Sequence, residues 1–272
     1  MNRKLILILI TTLSLLAVSV APARADDLGD KGRAVFAKEQ HAVVTVSIVL
    51  KLTYSSGGQS STPQESKQEA TGTVIDPSGL TVLALSACDP ADIYQRMDSR
   101  YKIETEVSDL KIMQSDGTEL PAEIVLRDKD LDLAFIRPKT KPASPMIAVD
   151  LTKSASAQVL DEVIALNRLN SAASRAYSAS VERIAAVVQK PRTFYIPDST
   201  MSATTMGSPA FLMNGDFLGI FVMRAVGSSG GRANLTAIIL PADDILKGAK
   251  QAPEAKGDAE KKEESKPVTE KK

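Results

Sequence analysis

The sequence predicts an all-β protein made of two similar halves, each a barrel or sandwich of short strands. Three observations carry that prediction. Short β-branched and apolar segments recur between Ala42 and Pro241, with turn signals at close spacing. Segments with helical character are few and lie mainly near the two ends. Pro138, Pro142 and Pro145 break the pattern once, near its middle, and mark the best internal boundary. No fixed-period repeat accompanies the two halves.

The elements follow in order. Asp26–Gln40 reads as a short helical lead-in, and AVVTVSIVLKLTY (Ala42–Tyr54) as a strand. SSGGQSSTPQESKQEA is polar and rich in Gly and Ser, which predicts an exposed loop. Thr71–Ile75 and Leu80–Leu85 form a hairpin about Asp76-Pro77-Ser78-Gly79, with Pro and Gly where a type I turn prefers them. Pro90–Met97 reads as one or two helical turns. DLKIMQSDGTELPAEIVLRDKDLDLAFIRP holds three more strands, with SDGT as a hairpin turn. Beyond the prolines, QVLDEVIALNR, SASVERIAAVVQK, RTFYIP, PAFLM, DFLGIFVMR and LTAIILP give a second series. In NGDFLGI a turn leads into a strand whose glycine predicts a close backbone approach. PADDILKGAK has Asp243 and Asp244 near its start and lysines near its end, so a closing helix suits the helix dipole. From Ala252 the chain is polar with mixed charge and reads as a disordered tail.

Composition narrows the function classes. The chain has 272 residues, is 43% hydrophobic and carries no formal net charge. A general nucleic-acid binder needs a basic footprint, which is missing. Aromatic residues make up 4% and Trp is absent, which argues against a surface for stacking bases or sugars. MNRK, the apolar run Leu5–Val20 and APARA match the charged, apolar and A-x-A parts of a secretory signal peptide. The alternative, a membrane anchor, needs about 20 apolar residues. Cleavage after Ala25 and a periplasmic or extracellular location are expected, with no membrane span in the mature chain. The single cysteine, Cys88, cannot form an internal disulfide and reads as a buried small hydrophobe rather than a reactive thiol. One Cys and one His (His41) do not make a zinc site. Asp76, Asp89 and Asp92 lack the spacing of a calcium loop, and GSSGG (Gly227–Gly231) lacks the Lys-Ser/Thr pair of a phosphate loop. No cofactor or metal is expected.

Several of these segments, taken in order, resemble the trypsin-like serine proteases of the bacterial HtrA type. GTVIDPSGLTVLALSAC resembles the hairpin G-x-G-x-x-I-D-x-x-G-x-I-L-T-N-x-H-V-V that carries the family's catalytic histidine. DLDLAFIR resembles the strand whose leading Asp completes the triad. QVLDEVIALNR and SASVERIAAV resemble two later strands. TTMGSPAFLMNGDFLGI resembles G-N-S-G-G-P-L-L-x-x-x-G-x-V-I-G-I, and SSGGRANLTAIILPADDIL resembles the terminal strand and helix. The likeness covers roughly Ala42–Lys247. It implies two six-stranded antiparallel β-barrels with a substrate cleft between them. The expected organisation is a signal peptide over 1–25, a lead-in over 26–41 and barrels over 42–140 and 141–248. A charged tail follows over 249–272, leaving no room for a PDZ domain.

The same likeness locates the triad positions. Counting from Gly79 places Ser86 where the family has histidine, which removes the general base. Counting back from Gly215 places Met206 at the nucleophile, and a thioether cannot form an acyl-enzyme. Asp132 is kept, but without a histidine its expected role is to accept hydrogen bonds from Ser86 or from backbone N–H groups. The oxyanion positions fall on Thr204 and Met206, with Thr204 replacing a glycine. No histidine occurs in residues 42–272. The function expected is therefore a catalytically inactive, exported homologue that binds a peptide or protein in the former cleft. One alternative is a hydrolase with a relocated nucleophile, Ser208 first, with Ser202 or Ser86 behind it and Lys190 or Lys247 as base. Another is a structural envelope protein tethered by its tail.

Overall fold

A computed structural model describes residues 26–56, 59–91, 93, 102–198, 206–229 and 232–254. The signal-peptide reading, Asp92, most of Pro90–Met97, Ser202, Thr204 and the tail beyond Glu254 lie outside those residues.

Helix α1 (Asp27–Glu39) opens the described chain. The Asp26 carboxylate accepts the Gly29 N–H at 3.0 Å, and Asp27 and Asp30 sit in the first turn, where the dipole favours anions. The first barrel comprises β1 (Val43–Ser56), β3 (Gln64–Val74), β4 (Thr81–Ala84), β5 (Lys102–Met113), β6 (Glu119–Asp128) and β7 (Leu133–Pro138). The two-residue β2 (Gln59–Ser60) hangs on the end of β1. Neighbours run β1-β3-β4-β7-β6-β5, and β5 closes the ring on β1. Helix α2 (Leu85–Cys88) interrupts the ring after β4. The second barrel comprises β8 (Glu162–Arg168), β9 (Tyr177–Val188), β10 (Phe194–Pro197), β11 (Pro209–Leu212), β12 (Phe217–Ser229) and β13 (Arg232–Pro241). These close in the order β10-β13-β12-β11-β8-β9, and α3 (Ala242–Ala249) follows. All pairings within both rings are antiparallel, so the fold is the trypsin-like double barrel.

Turn chemistry sets the hairpins. Asp76 Oδ1 accepts the Ser78 N–H at 2.8 Å, the Gly79 N–H reaches the Asp76 carbonyl at 2.9 Å, and Gly79 takes φ 95°. The glycine of NGDFLGI is as crowded as its motif implies. A Cβ on Gly219 would lie 1.9 Å from the Leu240 carbonyl oxygen, so β12 and β13 approach where only glycine fits.

Two segments differ from the sequence reading. Ser55–Ala70 is not all loop: β3 begins at Gln64 and pairs with β1 from Leu52↔Gln64 to Val43↔Thr73. This ribbon's outer residues face solvent, so their polarity reflects exposure rather than absence of strand. Leu85 ends no strand; it begins α2, because its N–H turns to the Asp132 carbonyl at 2.9 Å.

Every strand of each ring feeds its own core. Val44, Val46, Ile48, Val74, Leu83, Ile112, Ala134 and Ile136 fill the first barrel with Cys88. Val163, Ala165, Ile184, Tyr195, Ala210, Phe221 and Ile239 form the core of the second. A third cluster joins the halves: Val43, Val82, Leu133 and Phe135 meet Ile164, Phe211, Ile220, Leu240 and Ile245. Alternation explains the division, since Leu133 and Phe135 point one way along β7, and Ala134 and Ile136 the other. Polar contacts cross the same junction. Thr71 Oγ1 donates to Asn167 Oδ1 at 2.5 Å, and Arg175 donates to Glu69 through Nε at 3.0 Å and Nη2 at 2.5 Å.

Candidate functional site

Beside the junction of the barrels lies a cleft of about 420 Å³. Leu85, Ser86, Asp132 and Met223 are among the residues that line it. Ser86 stands in the first turn of α2, and Asp132 in the tight turn before β7, with φ 56°. That left-handed conformation is one that Asp tolerates better than most residues. It is held by a dense set of bonds. The Asp132 carbonyl takes the Leu85 N–H at 2.9 Å, and its Oδ1 takes the Ser86 N–H at 2.7 Å. Its Oδ2 accepts both Ser86 Oγ at 3.0 Å and the Met223 N–H of β12 at 2.9 Å. The carboxylate therefore caps α2 and ties the first barrel to the second.

The three positions that the resemblance assigns to the triad do not all meet. Ser86 and Asp132 are hydrogen-bonded and both line the cleft. Met206 does not line it. Its side chain is 5% exposed and belongs to the second barrel's apolar core, a cluster that also takes in Ala84. The following residue fixes the loop: Gly207 has φ 89°, its N–H reaches the Phe221 carbonyl at 2.7 Å, and Thr73 Oγ1 donates to its carbonyl at 2.9 Å. A Cβ there would stand 2.2 Å from the Thr71 carbonyl oxygen, so no other residue fits without movement.

Ser208 is completely buried and does not line the cleft. Its hydroxyl donates to Asn167 Oδ1 at 3.3 Å, an oxygen that also accepts from Thr71 and from the Arg168 N–H. Neither lysine considered as its base is positioned as one: Lys190 is exposed, and Lys247 lies on α3 paired with Asp244 at 3.0 Å. His41 is exposed and meets Tyr177 edge-on, with Nδ1 3.4 Å from the phenol oxygen. Cys88 is fully buried, and desolvation pushes its thiol up to about 12, against the opposing charge of Arg127 and with the help of Asp132 and Asp89. That thiol is not a nucleophile near neutral pH. Asp89 accepts from Thr105 Oγ1, and Asp76 serves its own turn through Ser78.

Comparison with known proteins places this geometry. The family described as trypsin-like peptidase domain matches residues 70–220, more than half of the 272-residue chain. The chain belongs to the trypsin-like peptidase domain family. No curated protein matches it. The matched stretch includes β4, Ser86, Asp132 and Met206.

Some participants left no signal in the sequence. The Met223 contact with Asp132 uses a backbone N–H, which any residue supplies. Asn167 is different: an amide between Leu166 and Arg168 in an apolar strand signals a buried polar hub, and it holds Thr71 and Ser208 together. Arg192 and Arg224, on the second-barrel side of the cleft, come from the turn before β10 and from the middle of β12, and have no common motif.

Proposed function

We propose that this trypsin-like domain protein is an exported, catalytically inactive homologue of the HtrA type that binds peptides or unfolded protein segments in its inter-barrel cleft. One observation carries the reading. The carboxylate that would orient a histidine is bonded instead to Ser86 N–H, Ser86 Oγ and Met223 N–H, and no histidine occurs in residues 42–272. Without a histidine, the usual general base for activating a hydroxyl near neutral pH is missing. Related enzymes stripped of triad members keep roughly 10³–10⁴-fold acceleration over water through binding and the oxyanion hole. A methionine at the nucleophile position leaves no acyl-enzyme route even for that remainder.

The binding half of the reading rests on a strand edge that is open except at the Met223 N–H, which Asp132 holds. β11 covers β12 only from Phe217 to Ile220, and Phe221 adds one bond to Ser208. From Val222 onward β12 pairs with β13 alone among the described residues. An extended peptide can add to such an edge through main-chain hydrogen bonds, which need no triad. The relocated-nucleophile alternative gains nothing from Ser208, whose hydroxyl is buried against Asn167. The test is fluorescence anisotropy with a panel of labelled extended peptides, followed by mass spectrometry of the recovered peptide. Saturable binding with intact recovery is expected. Absence of binding across the panel, or cleaved peptide, overturns the reading.

A further inference from the structure

The ionic groups of the cleft divide by barrel. Asp89, Lys129, Asp130 and Asp132 stand on the first-barrel wall, and Arg192 and Arg224 on the second. The first wall is net acidic and largely engaged: Asp132 is bonded to three donors, and Asp89 accepts from Thr105. The second wall is purely cationic, and neither arginine pairs with a carboxylate among the described residues. Arg224 is half-buried, with its guanidinium carbon 5.0 Å from the centre of the buried Phe194 ring. Stacking of this kind fixes the guanidinium plane while leaving its N–H edges to an incoming acceptor. Arg192 is exposed two residues before Phe194 and adds a second guanidinium to the same wall. Arg224 also lies on the stretch of β12 that pairs with β13 alone among the described residues.

From this arrangement we infer that the cleft selects extended segments carrying an acidic side chain, Asp or Glu, which Arg192 and Arg224 bind together from the second-barrel wall. The inference rests on the peptide-binding reading above. Strand addition supplies affinity without sequence preference, because main-chain bonds are common to all peptides. The two guanidiniums supply the preference, because planar, charge-assisted bonds to a carboxylate are stronger than bonds to an amide. The opposite, acidic wall repels a second carboxylate, so one acidic residue in the bound stretch is favoured over a run of them.

The experiment uses acetylated, amidated peptides of one extended sequence that differ only by Glu, Gln or Lys at a single scanned position. Affinities are read by anisotropy on the purified full chain. At one position the Glu peptide is expected to bind about tenfold tighter than the Gln peptide, and Lys weaker still, with the gap shrinking at high salt. Arg192→Glu, at an exposed position with no hydrogen-bond partner among the described residues, is expected to reverse the order in favour of Lys. Equal affinity for Glu, Gln and Lys overturns the inference and leaves peptide binding standing. A Glu preference that survives both Arg192→Glu and Arg224→Gln overturns it as well. Tight binding that follows a free C-terminal carboxylate rather than the internal Glu does the same. Failure of every peptide to bind removes the peptide-binding reading itself.

Discussion

At the scale of single residues, Asp132 is a structural tie between the two barrels. Its carboxylate accepts two backbone N–H groups and a hydroxyl from three directions, in a left-handed conformation. Asp132→Ala leaves those donors unsatisfied and puts a Cβ residue without a polar side chain at φ 56°, and is expected to cost about 2–4 kcal/mol. Asp132→Asn keeps one side-chain acceptor oxygen and should cost roughly half as much. Urea unfolding of the two variants beside wild type checks this; equal stability of all three would remove the structural role. The nearness of Ser86 and Asp132 was legible in the sequence, because both are counted from ordered landmarks, Gly79 and the apolar strand Leu133–Ile136. The inward packing of Met206 was not. Counting gives the position of a side chain along the chain but not which face of the loop it takes. That is decided by Gly207, whose close fit against Thr71 appears only when the barrels are assembled.

Among the elements, hairpins were the most readable because their turns carry local chemistry. DPSG, SDGT and NGD each place a glycine at positive φ where the chain must reverse: Gly79, Gly117 and Gly215. The β1–β3 ribbon is not legible as strand because its polar side chains face water on a surface strand, and composition does not separate that from a loop. The closing helix α3 was legible from Asp243, Asp244 and Lys247, but its packing was not. Gly248 lies against Phe135, and a Cβ there would stand 2.5 Å from the ring's Cζ. Helix propensity alone gives Gly→Ala a gain of about 1 kcal/mol. Phe135 is fully buried and has no space to retreat, so Gly248→Ala is expected to lower the melting temperature instead of raising it. A higher melting temperature would show that α3 shifts freely on the barrel.

Across the whole molecule, the two barrels share one apolar layer and a set of crossing hydrogen bonds, and the buried thiol of Cys88 reports on unfolding of the first barrel. Burial raises the Cys88 pKa from an ordinary 9.0 to about 12. Below pH 9 both folded and unfolded chains hold the thiol proton, so the group contributes nothing to pH dependence. Between pH 9 and 12 the unfolded chain loses the proton first, and stability falls as pH rises, by about 1.4 kcal/mol per unit. Denaturant melts of wild type and Cys88→Ala across this window should therefore converge on the alkaline side by that slope, with thiol reagents reacting only on unfolding. Parallel curves would mean that the thiol is accessible in the native state. The central claim concerns the loss of proteolytic chemistry within a retained frame. It is tested most directly by fluorophosphonate labelling read by intact-protein mass spectrometry, on wild type beside a Ser86→His, Met206→Ser double variant. The account predicts no adduct on wild type, whatever the double variant does. An adduct on wild type would contradict it, and the labelled residue would identify the nucleophile.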